Sequence, residues 1–150
     1  MKNIDPHKVL DNANAFLIAA NRLNEQRPIS NTTNFELPIV PYVVSLSFAL
    51  EMAMKAILAT DRKFVRTHEL LKLYNKLPEL VKNETIVELN LTALEMRMKL
   101  SKANKSFEDW RYYYESTSLE VDPVFLTRLA TVLRDICQRL FSEKNIVRVE

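Results

Sequence analysis

Not one of the 150 residues is glycine. That omission closes off more architectures than any motif opens. Tight β-hairpins, nucleotide-cradling loops and β-bulges lean on a residue that takes positive φ at no steric cost. A helix bundle needs such residues less, because Asn is the second choice for the left-handed position after a helix. Asn24, Asn75, Asn104 and Asn145 stand where helical patterns fade, and are the expected left-handed caps. The glycine-flanked nucleophile elbow is excluded on the same ground.

Apolar periodicity agrees with the helical reading. Asp5-Pro6 opens a first helix with an N-cap and a proline at the first helical position, followed by a stripe of Val9, Ala13, Phe16, Ala20 and Leu23. Residues 24–38 have no period and form the longest loop. A second helix, from about Pro41 to Thr60, is apolar nearly all round. Only Ser47, Glu51 and Lys55 make a polar stripe on it, which marks the helix at the centre of the bundle. Thr67 caps a third helix from His68 to Leu77, and a fourth spans about 84–103 with Val87, Leu91, Leu94 and Met98 inward. Ser106 with Asp109 resembles a capping box and starts a short fifth helix that turns Phe107, Trp110 and Tyr114 inward. Asp122-Pro123 repeats the opening punctuation and starts a sixth, with Phe125, Leu129, Val132, Ile136 and Leu140 as its stripe. The tail 146–149 is β-prone but alone, and is expected frayed or docked. The fold class is therefore all-α, a compact bundle of five or six helices in a single domain spanning residues 1–150.

A chain of this length buries a core without staples, and 27% charged residues keep it soluble. The lone Cys137 forms no internal disulfide, and no apolar run opens the chain as a signal peptide, so the expected compartment is the cytoplasm. Glu51 and Lys55 interrupt the most apolar stretch, 39–60, which reads as a buried helix and not a membrane span. Two His and one Cys at wide spacing give no metal-ligand signature, so no metal and no cofactor are expected.

Three segments carry a family resemblance. Residues 45–59, Ser-Leu-Ser-Phe-Ala-Leu-Glu-Met-Ala-Met-Lys-Ala-Ile-Leu-Ala, look like the second helix of HEPN domains, which is small-residue-rich with one Glu and one Lys a turn apart. Thr67-His68-Glu69-Leu70 is similar to the His-(Asp/Glu)-Leu that starts the next HEPN helix. Trp110-Arg111-Tyr112-Tyr113-Tyr114-Glu115 resembles the Arg- and aromatic-rich segment opening a later one. The resemblance covers roughly residues 5–141 and implies a HEPN-like bundle. Many HEPN domains are metal-independent ribonucleases, or partners of minimal nucleotidyltransferases in toxin–antitoxin and phage-defence systems. Active members use an Arg followed after four to six residues by His, usually brought together across a homodimer, so that His exchanges protons while Arg steadies the phosphate.

Arg111 sits where the family Arg is expected, but positions 116–118 are Ser-Thr-Ser and supply no His. The one Arg-His pair of family spacing, Arg62 and His68, falls between the second and third helices, the wrong place for the motif. The catalytic candidates are thus Arg111 with Glu51, with Arg62/His68 as the discounted alternative pair. Arg111 also stands four residues before Glu115, the spacing of a plain helical ion pair. Glu51 and Lys55 are expected to pair with each other or with Arg111.

The formal charge is only +2, but residues 61–105 hold ten basic side chains against six acidic ones. Arg62 and Lys63, and likewise Lys102 and Lys105, sit in connectors; a solvated face is their ordinary meaning, a phosphate-tracking patch their meaning if the connectors converge. Arg111, Tyr112 and Tyr113 add the interleaved charge and stacking surface that single-stranded RNA wants. The expected function is RNA binding, or binding of a nucleotidyltransferase or antitoxin partner, by a catalytically degenerate homodimer. An endoribonuclease toxin and a protein-interaction module without nucleic-acid binding are the alternatives.

Overall fold

Asp5 begins the first helix as the sequence suggests: its carboxylate accepts the His7 N–H at 2.9 Å and Pro6 takes the first helical position of α1 (Pro6–Leu23). The computed structural model describes residues 3–36 and 38–149. The 24–38 segment, of which Leu37 lies outside the described residues, is not irregular throughout. Arg27–Pro28 (β1) and Phe35–Glu36 (β2) pair antiparallel, Arg27 opposite Glu36. Asn31, at φ 63°, supplies the left-handed residue that a glycine would ordinarily take in the turn.

The central element is α2 (Ile39–Thr60), against which α1, α3, α6 and α7 pack. Length and composition would let it cross a bilayer, but 72% of its most apolar window is buried within the fold, as expected of a core helix. Leu46, Leu50, Met54 and Ile57 are wholly enclosed, each worth about 1.5–3 kcal/mol of burial. The helix ends in a Schellman turn: the Arg62 N–H donates to the Ala59 carbonyl and the Lys63 N–H to that of Leu58. The left-handed residue of this turn is Arg62, at φ 57°, where a Cβ costs about 1–2 kcal/mol.

The third helix, α3 (Leu70–Lys76), starts two residues later than its pattern suggests. Thr67 caps the N–H of Glu69, and His68 stays in the connector before the helix. The expected fourth helix is two: α4 (Glu79–Leu89) and α5 (Ala93–Ala103). Asn90 breaks it in the left-handed conformation at φ 54°, and Thr92 with Glu95 forms a complete capping box that restarts it. The break rotates the faces, so Met96 and Leu100 turn inward while Val87, Leu94 and Met98 are exposed.

Short α6 (Ser106–Arg111) lacks the expected capping box, because Ser106 already lies inside the helix and is buried. Trp110 is buried as expected, but a 3₁₀ turn at Tyr113–Glu115 follows and leaves Tyr114 73% exposed. The last helix, α7 (Pro123–Glu143), is capped by Asp122, which accepts the Phe125 N–H at 3.0 Å. Beyond it, Asn145 is left-handed, the one residue of the four expected to be so. Asn24 and Asn104 have right-handed backbones and Asn75 lies within α3. The tail docks on α1: His7 Nε2 lies 2.9 Å from the Ile146 carbonyl, and Arg148 grips Asp11 with two hydrogen bonds. The whole is an all-α bundle, with helices as its framework and the two-residue β1–β2 pair as an appendage.

Candidate nucleic-acid interface

Glu51 is completely buried on α2, and a lone carboxylate there would be untenable. Two partners satisfy it. Lys55, one turn on, places Nζ 2.5 Å from Oε1. His68 places Nδ1 3.0 Å from both carboxylate oxygens. The expected pairing of Glu51 with Lys55 is present, whereas pairing with Arg111 is not. His68 reaches α2 because α3 starts late, leaving it on an extended connector free to turn back.

The His68 ring packs at 5.1 Å against Phe107, and the Arg111 guanidinium lies 4.8 Å over the same ring. Arg111 also stacks at 5.2 Å on Tyr112 and donates to its hydroxyl at 3.1 Å. Phe107 is in turn stacked on Phe48 of α2, so an aromatic ladder from the core fixes both the His68 ring and the Arg111 guanidinium. The Arg111–Glu115 ion pair is not formed among the described residues, because α6 ends at Arg111 and its turn spacing ends there too. His68 and Arg111 share one open groove of about 500 Å³, which Tyr112 also lines. Glu108, Asp109 and Glu115 line it as well, so its charge does not favour a polyanion. Arg62 faces a different groove, with Lys144 and Ile146, so the discounted Arg62/His68 pair is not brought together.

The two basic connectors meet at the start of α3. The Leu70 N–H donates to the Asn104 carbonyl at 3.0 Å, the Leu71 N–H to Asn104 Oδ1 at 2.8 Å, and Asn104 Nδ2 to Glu69 at 3.3 Å. Asn104 is the C-cap of its own helix, with a right-handed backbone, and its carbonyl and side chain also cap α3. Lys105 thereby comes close enough to Glu69 to help hold its carboxyl below the usual range, an effect led by the hydrogen bond from Lys72. Lys102 lies apart, in a groove with Lys99, Glu120 and Asp122. Tyr113 is half exposed and stacked on Trp110.

Beside the first connector lies a fourth groove, lined by apolar side chains together with Lys55, Lys63 and Arg66. Sequence reasoning missed Arg66 and Phe64 here; the signal was present in Arg-Lys-Phe-Val-Arg at 62–66, an aromatic set between cations. Cys137 is buried and its thiol is pushed up to about 12 by that burial, which makes it a packing residue and not a nucleophile. No cluster of three potential metal ligands occurs among the described residues. Comparison of the chain with protein-family models, curated proteins and solved structures returns no match.

Proposed function

We propose that this chain is a HEPN-like, homodimeric RNA-binding protein whose catalytic capacity is degenerate, acting in a toxin–antitoxin or phage-defence setting. The observation that carries the RNA reading is the junction of the two connectors through Asn104. The first connector carries Lys63 and Arg66 along one groove and Arg62 on the neighbouring one, and the junction brings Lys105 of the second connector beside Glu69. Arg111, Tyr112 and Tyr113 flank that junction with stacking surface.

The dimer reading rests on apolar side chains the fold leaves uncovered. Leu80 and Val87 stand two turns apart on α4, 82% and 76% exposed; Leu94 and Met98 stand one turn apart on α5, 66% and 54% exposed. Apolar surface concentrated in this way commonly marks an interface.

A metal-independent ribonuclease is the second reading, favoured by one observation: a carboxylate-held imidazole shares a groove with Arg111. Imidazole is the side chain suited to proton transfer near neutral pH. Three carboxylates in the same groove oppose a scissile phosphate there, which is why binding without efficient cleavage is the primary reading. A metal-free cleavage assay beside an RNA-binding titration, on wild type, Arg111→Ala and His68→Ala, separates the two. Salt-sensitive binding with little or no cleavage is the expected result. Robust cleavage lost in both variants would establish the ribonuclease instead, and absence of binding would leave a protein-interaction module.

A further inference from the structure

The groove between the C-terminal half of α2, the start of α1 and residues 63–66 has a volume of about 420 Å³, within the range of small-ligand sites. Ile4, Val9, Met52 and Phe64 form its walls, and Phe64 is 41% exposed in spite of its size. Its charged lining is wholly cationic: Lys55, Lys63 and Arg66, with no carboxylate among the described lining residues. Lys55 is engaged by Glu51, whereas neither Lys63 nor Arg66 makes an ion pair among the described residues. An occupant that matches this lining combines an apolar, stackable body with negative charge. We infer that this groove takes an unpaired nucleobase of a bound RNA strand, with Phe64 as its stacking surface and Lys63 and Arg66 on the flanking phosphates.

Continuity with the rest of the surface supports this occupant. Ile4, Ala59 and Phe64 line both this groove and the one that Arg62 faces, so the two are continuous. Arg62, which faces the neighbouring groove, extends the cationic rim along the same connector. A single-headed amphiphile would leave most of this charge unanswered, whereas a phosphodiester chain runs along it. The walls offer little that could read a base edge, so discrimination follows stacking strength, with purines preferred modestly over pyrimidines.

The inference rests on the RNA reading, and the experiment separates their failures. Fluorescence anisotropy compares an oligoadenylate with an abasic strand of the same length, on wild type, Phe64→Ala, Phe64→Trp and Lys63→Gln/Arg66→Gln, each first shown to be folded by circular dichroism. Wild type should prefer the base-carrying strand by about 5- to 100-fold, the span expected for one stacked base. Phe64→Ala should reduce that preference to what Tyr112 and Tyr113 contribute, without altering abasic binding, and Phe64→Trp should retain it. The double Gln variant should weaken both strands and flatten the salt dependence by about 0.7 of a slope unit per removed phosphate contact. Binding by wild type that is indifferent to Phe64→Ala, or weakened equally for both strands, overturns the base pocket and leaves the RNA reading standing. Absence of salt-sensitive binding by wild type overturns both.

Discussion

Two charged residues define the energetics at the residue scale. Glu51 is enclosed with Lys55 and His68 as its only partners among the described residues, so Glu51→Gln replaces charge-assisted hydrogen bonds with neutral ones. Both partners reach solvent, which limits the penalty to about 1–3 kcal/mol, measurable by urea unfolding. Arg62 presents the opposite case. Its left-handed backbone carries a Cβ cost, so Arg62→Gly should stabilise the fold by about 1 kcal/mol while weakening RNA binding. A variant no more stable than wild type would show that the side chain compensates for its own strain. The polar stripe on α2 was legible from spacing alone, and so was the need to satisfy it. That His68 would be the second partner was not, because the deciding fact is where α3 begins. Thr67 offers a plausible cap one residue early, and the pattern cannot tell a helical His from one held two residues upstream.

At the scale of elements, caps decide most boundaries. Asp122 holds the start of α7, and Asp122→Ala should cost about 1 kcal/mol. The backbone hydrogen bond from Phe125, with help from Lys99, holds the Asp122 carboxyl below its ordinary value in the folded protein. A lowered folded pKa contributes stability that is fully present above the unfolded carboxyl pKa, about 3.9, and is lost as pH falls through the folded value. The variant should therefore differ from wild type at pH 7 and approach it only as the pH falls through the folded value, below the unfolded one, as followed by thermal melts from neutral to acid. An equal difference at every pH would mean that packing, not the carboxylate, is what the substitution removes. The Asp5 and Asp122 caps were readable because Asp-Pro is unambiguous punctuation. The Asn90 break was readable too, from the Thr92-x-x-Glu95 box behind it, but continuous apolar spacing from Val87 to Met98 masked it. Periodicity read through an unseen break assigns the wrong face inward, and that is why Leu94 and Met98 were expected in the core.

For the whole molecule, that misassigned face is the proposed dimer surface. Light scattering at micromolar concentration should give a dimer, and Val87→Glu combined with Leu94→Glu should give a folded monomer; a wild-type monomer at high concentration would remove the dimer from the proposal. The bundle itself was accessible from sequence because the absence of glycine and the long apolar stripes point the same way. The meeting of the connectors was not, since it depends on Asn104 hydrogen-bonding across 33 residues to Leu71. RNA binding at that junction is most directly tested by the dependence of single-stranded RNA affinity on salt. Four cations on the two joined connectors, Arg62, Lys63, Arg66 and Lys105, correspond to a log–log slope of roughly −2 to −3 if most meet a phosphate, at about −0.7 per contact. A slope in that range, reduced by Lys63→Gln/Arg66→Gln, is the predicted result; no binding at low salt, or binding indifferent to salt, would contradict it.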